Sequence, residues 1–175
     1  YCYINNAAVA AQRLLDLGAK RVSVLDVDYH HGNGTQEIFY SRADVQVINF
    51  HADPMQEYPY FLGHKDETGT GAGDGFNINY PMPFGTEFET WYAALEDGCN
   101  KLAAYKPDIV VVSLGVDTFE KDPISRFKLR SEHYPLIGAR IAKLGLPTLF
   151  VMEGGYAVAE IGVNAVGVLT GFEGR

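Results

Sequence analysis

Short apolar runs and amphipathic stretches alternate along the chain, each with a recognisable period. Residues 4–17, INNAAVAAQRLLDL, place Ala and Leu at helical spacing, and Gly18 follows where a C-terminal cap belongs, so the spacing predicts a helix. RVSVL at 21–25, VQVINF at 45–50, IVVVSLGV at 109–116 and PTLFVM at 147–152 are short and apolar nearly throughout. Such runs predict strands of a sheet covered on both faces, hence a parallel sheet. Further helices are predicted over 87–105, entered through a capping box of Thr86 and Glu89, over 131–144 entered at Ser131, and over 160–170. HGNGT reads as a loop that opens another helix at Thr35. Strand and helix in alternation make an α/β layered fold. The stretch from His51 to Gly85 breaks the rhythm with Gly, Pro and aromatic residues, and FNINY at 76–80 predicts one extra strand inside it. Loops of this length in a compact domain are functional or disordered, and Tyr58, Tyr60 and Phe61 argue for a packed wall or rim.

Every predicted strand delivers reactive groups at its carboxyl end. The first is followed by Asp26, Asp28, His30 and His31, the second by His51 and Asp53, the third by Asp117, and the fourth by Glu153, Gly154, Gly155 and Tyr156. In open α/β sheets that edge is where ligands bind. In LDVDYHHGNG, extended backbone sends residues two apart to one side, so Asp28 and His30 converge while Tyr29 and His31 point away. With Asp117 they make three candidate ligands around an open position, the pattern of catalytic zinc. Two carboxylates and one imidazole also suit Fe(II) or Mn(II), and spacing alone leaves Asp26 and Asp28 equivalent. His31 is expected beneath the site, His51 on a local backbone group, and His64 and His133 at the surface. Tyr156 follows two glycines, where backbone can approach a ligand closely and a phenol can donate to an oxyanion.

Composition narrows the partners. The chain has 175 residues, 47% hydrophobic and 21% charged, enough for one core and one domain. A net charge of -8 argues against nucleic acid and is compatible with a cationic ligand. No apolar run reaches the ~20 residues that cross a bilayer, and Cys2 and Cys99, with no CxxC spacing, point to a reducing, cytoplasmic setting. The opening YCYINNAAVAAQ has neither Met nor a polar lead-in and is read as following a missing natural beginning.

Together YCYINNAAVAAQ, LDVDYHHGNGTQEIFY, SLGVDTFEKDP and VMEGGY, in this order and spacing, resemble the zinc-dependent histone deacetylase superfamily over essentially the whole chain. VDTFEKDPISRFKL and NNAAVAAQRLL are most similar to bacterial acetylpolyamine amidohydrolases. The resemblance implies a three-layer arginase/deacetylase-like α/β fold with a mainly parallel sheet, of which residues 1–175 form the C-terminal part of a single domain whose N-terminal part is missing. It implies Zn²⁺ on Asp28, His30 and Asp117, with Tyr156 stabilising the tetrahedral oxyanion. Asp26 and Asn33 stand where such enzymes orient catalytic histidines, and Asp26 also borders a structural K⁺ site, where Asn49 replaces the usual Ser. Tyr1 and Tyr58 match aromatic residues of a narrow substrate tunnel, and Ile124 an apolar position on its wall.

The implied reaction is hydrolysis of the acetamide of an acetylpolyamine or acetyl-lysine, without nucleic-acid or membrane partners and with homo-oligomerisation of the full-length protein in view. The paired proton-transfer histidines of such enzymes would lie ahead of Tyr1. Two alternatives remain: an inactive piece that binds metal or associates, and an arginase-like Mn²⁺ ureohydrolase, for which the segment offers few bridging carboxylates.

Overall fold

The structure is a computed structural model and describes residues 3–174; Tyr1 and Cys2 lie outside them. Five parallel strands form one sheet in the order β3-β2-β1-β4-β5, with β1 Val22–Asp26, β2 Val45–Ala52, β3 Asn77–Met82, β4 Ile109–Leu114 and β5 Thr148–Met152. Helices α1 (Asn6–Asp16) and α2 (Asn33–Phe39) cover one face. The other carries α3 (Phe88–Tyr105), α4 (Tyr134–Ala142) and α5 (Ile161–Glu173). This is a three-layer α/β arrangement, as the alternation of elements predicts.

Strand periodicity explains the two cores. Val45 and Val47 of β2 face α1, while Ile48 and Phe50 face α3, where Phe50 stacks with Tyr80 and packs near the buried Trp91. Both faces of the central strands are apolar because both are covered. α1 begins where the Asn5 side chain accepts the Ala8 N–H at 2.8 Å and ends at Gly18, whose φ of 108° suits a residue without Cβ. Among the described residues no helix is long and apolar enough to cross a membrane.

Four details differ from the sequence expectations. Thr86 does not close a capping box: its hydroxyl donates to the Pro83 carbonyl at 2.7 Å, and α3 is entered through Glu87 without a side-chain cap. His133 is buried rather than superficial, stacked on Phe88 at 4.0 Å, with its Nδ1 accepting the Arg130 N–H. The predicted helix over 131–144 is split into a 3₁₀ turn, Ser131–His133, and α4. Finally, β5 is an edge strand of the described sheet, and Leu149 and Met152 are 43% and 46% exposed, so this run is not buried on both faces.

α4 and α5 approach until backbone meets backbone. A Cβ on Gly138 would collide with the Val168 carbonyl and one on Gly171 with that of Pro135. Neither neighbour is a side chain that can swing aside. Gly138→Ala is expected to destabilise the protein by about 1–3 kcal/mol through overpacking, read as a lower urea midpoint with an unchanged m-value.

Candidate metal centre

β1 and β4 are adjacent although the chain leaves β1 for β2 and enters β4 from β3, which makes their carboxyl ends a topological switch point. Asp26 closes β1, opposite Asn49 on β2 and Ser113 on β4. Beyond it, Asp28 and His30 project to the same side and meet Asp117, which follows β4. One ligand atom from each lies within 4.8 Å of the other two. Tyr29 turns the opposite way into the core, edge-on to Phe127, and His31 is buried with Nε2 3.0 Å from Gln36 Oε1.

Backbone amides aim the carboxylates. Asp28 accepts the His30 N–H on Oδ1 at 2.8 Å and the Gly154 N–H on Oδ2 at 2.9 Å. Asp117 accepts the Tyr29 N–H on Oδ1, and its Oδ2 faces His30 Nδ1 at 3.1 Å. Gly154 is required by this approach, since a Cβ there would lie 2.6 Å from both the Asp28 and the Asp117 carboxylates. Asp26 is buried below and accepts the Asp28 N–H at 3.1 Å.

The electrostatics are those of crowded, poorly solvated carboxylates. Burial, then the Asp28 charge, pushes the Asp26 carboxyl well above the usual range. Asp117 is raised for the same two reasons, and Glu153 is raised chiefly by its burial. Burial would lower His30, but its hydrogen bonds to Asp117 and Asp28 and their charges override this and push it up to about 10. The imidazole thus stands between two carboxylates that favour positive charge on it. This donor set, one imidazole and two carboxylates held by backbone amides, fits a divalent metal.

A cavity of about 450 Å³ opens above these groups. Asp26, Asp28, His30, Asn33, Tyr58 and Tyr156 all line it. Tyr58 and Tyr156 are 42% and 40% exposed at its rim. Tyr60 and Phe61 are exposed beside Tyr58, with the Tyr60 ring 6.4 Å from that of Tyr58. Ile124 is exposed and does not line this cavity, while Asp117 sits beneath it. The expected place of Tyr1 lies outside the described residues. Asn49 accepts the Gly32 N–H and donates to Asn79, each at 3.3 Å. His51 bonds its own neighbour's carbonyl, Ala52, at 2.8 Å, and burial holds it neutral.

A histone deacetylase domain matches residues 1–171. The chain belongs to the histone deacetylase family. It is 62% identical over 174 residues to acetylpolyamine amidohydrolase 1 of Pseudomonas aeruginosa, covering 99% of this chain and 50% of that protein. It is 58% identical to the acetylpolyamine amidohydrolase of Mycoplana ramosa, covering 99% of this chain and 51% of that protein. The crystal structure of acetylpolyamine aminohydrolase from Burkholderia pseudomallei superposes with a TM-score of 0.95 at 43% identity, over 98% of this chain and 50% of that one. The chain thus spans about half the length of the curated relatives it matches.

Two residues that hold the backbone of the rim tyrosines are not legible in the sequence. Asp122 is buried and accepts the Tyr156 N–H at 2.7 Å, and Glu57 accepts both the Tyr29 hydroxyl and the Tyr58 N–H at 3.0 Å. Asp122 also accepts the Ile124 N–H two residues on, a local turn signal that an Asp-Pro pair carries. Nothing local announces the bond to Tyr156.

Metal binding must displace the proton that His30 holds up to about pH 10. Affinity for a divalent cation is therefore expected to rise by at least ~tenfold per pH unit between pH 6 and 8, more steeply at the acid end where Asp117 also holds a proton, with proton release. Calorimetry with Zn²⁺ in buffers of different ionisation enthalpy measures both; an affinity independent of pH would contradict it. Gly154→Ala, which crowds two carboxylates at once, should weaken the metal roughly 10–100-fold in competition titrations.

Proposed function

We propose that the whole protein is a zinc-dependent amidohydrolase that removes acetyl groups from acetylated polyamines, with acetyl-lysine as the related second substrate class. The convergence of Asp28, His30 and Asp117 below a cavity rimmed by two tyrosines carries this reading. The family membership and the names of the relatives support the reaction class.

Asp28, His30 and Asp117 hold the ion in this reading. Bound Zn²⁺ supplies Lewis-acid polarisation of the acetamide carbonyl and lowers the pKa of an attacking water. Tyr156 donates its phenol O–H to the carbonyl oxygen as negative charge develops there, an interaction stronger in the transition state than in the ground state. The aromatic rim that includes Tyr58 suits a thin methylene chain, which offers little but its width to recognise. Asp26 and Asn33 border the same cavity, and we assign them to orienting the proton-transfer histidines that the family resemblance puts ahead of Tyr1. A structural K⁺ beside Asp26 belongs to the same reading, because a buried carboxylate crowded by Asp28 favours a neutralising cation. The free, buried thiol of Cys99 accords with a reducing, cytoplasmic setting.

In the whole protein, Asp28→Ala, His30→Ala and Asp117→Ala are each expected to lose bound zinc, measured by elemental analysis after dialysis. Unaltered metal content in all three would refute the ligand assignment. Tyr156→Phe should retain zinc and lower kcat on an acetylated polyamine by roughly 10²–10³-fold with little change in KM.

A further inference from the structure

The turn that carries Tyr156 is fastened on both sides of a glycine. Before it, the Gly154 N–H donates to Asp28 Oδ2 at 2.9 Å and the Gly154 carbonyl accepts the Val116 N–H at 2.8 Å. Gly155 has a φ of 150°, and a Cβ there would lie 2.7 Å from Val116 Cγ2. After it, the Tyr156 N–H donates to Asp122 Oδ2 at 2.7 Å. The other oxygen of that carboxylate accepts the Ile124 N–H at 3.1 Å.

Asp122 is itself well anchored. It is 5% exposed, its N–H donates to the Phe119 carbonyl at 2.9 Å, and Phe119 bridges to Leu129 in a segment that starts from the buried Asp117. The Tyr156 side chain, by contrast, is 40% exposed. Packing encloses this ring only in part, and the short hydrogen bond from its own backbone to the Asp122 carboxylate is a fixed constraint on where the residue stands. The tether matters because an oxyanion donor must sit near 3 Å from an atom whose place the metal dictates, and a displacement of ~1 Å costs roughly 10²-fold in rate.

We propose that Asp122 is a positioning residue for Tyr156, its buried carboxylate fixing residue 156 and residue 124 to the segment that bears Asp117. This inference rests on the reading of Tyr156 as the oxyanion donor. It requires a carboxylate, because an Asn offers one acceptor oxygen and turns an N–H donor toward one of the two backbone N–H groups.

The test uses the zinc-loaded whole protein and an acetylated polyamine. Asp122→Asn should lower kcat roughly 10–10²-fold, with KM and zinc content close to those of the parent. In a Tyr156→Phe background the same change should cost less than about twofold, since the donor it positions is gone. Amide hydrogen exchange at Tyr156 should accelerate at least about tenfold in Asp122→Asn. Replacing Tyr156 by its α-hydroxy acid removes the donated N–H while leaving the phenol and Asp122 in place; it should reproduce the kcat loss even if Asp122→Asn fails to fold. A parental kcat in the α-hydroxy variant, or an equal loss from Asp122→Asn with and without the phenol, would overturn the positioning role. If Tyr156→Phe keeps full activity, the oxyanion reading fails separately, and unaltered exchange at residue 156 in Asp122→Asn would overturn the tether on its own.

Discussion

Four carboxylates meet where the sheet ends, and the cost of bringing them together shapes everything around them. Asp26, Asp28, Asp117 and Glu153 come from the ends of three neighbouring strands, and three of them are pushed toward the protonated form. Like charges in a poorly solvated place cannot all ionise without compensation. Backbone N–H groups of Tyr29, His30 and Gly154 supply part of it, and the proton on His30 another part. A divalent cation would supply more, and the proposed metal assignment uses this crowding of carboxylates. Close approach is the second requirement, met by Gly154, where any side chain would strike two of the acids.

The fold makes this concentration achievable at low conformational cost. Parallel strands end on one edge, and the reversal of strand order between β1 and β4 opens a crevice there without interrupting either core. The apolar residues of β1, β2 and β4 remain sandwiched between helical layers, so the reactive loops rest on a rigid base. The loops are in turn joined to each other by carboxylates that bind backbone. Asp122 links the segment after β4 to the turn after β5, and Glu57 links the buried Tyr29 to the rim at Tyr58. Both of these linking side chains stand outside the cavity lining.

Which features could be read beforehand follows from the range of the interactions involved. α1 is legible because its apolar spacing and terminal Gly18 are local, whereas its start at the Asn5 cap, one residue beyond the predicted beginning, is set by the structure. Asp28 and His30 do face away from Tyr29 as expected, but not on extended backbone: β1 ends at Asp26 and residues 28–30 bend, with the Asp28 side chain accepting the His30 N–H. The capping box at Thr86 failed although its residue types were right, because the Thr86 hydroxyl found the Pro83 carbonyl instead. His133 departs from its expected surface position because its stacking partner, Phe88, lies 45 residues away in the sequence. PTLFVM has the composition of an internal strand, yet Leu149 and Met152 are exposed, since the position of a strand in the sheet is not written in its own residues.

By itself, the amino-acid sequence determined the alternation of elements, the parallel character of the sheet, and the chemistry that each strand end carries. These depend on periodicity and on residue types at short separation, where backbone geometry leaves few choices. Tertiary structure alone decided the strand order that sets Asp117 beside Asp28 and His30. It also decided the 2.9 Å bond from Gly154 to Asp28 and the 2.7 Å bond from Tyr156 to Asp122, formed across 126 and 34 residues of chain. Such contacts depend on the packing of whole layers, which brings distant strand ends to one edge.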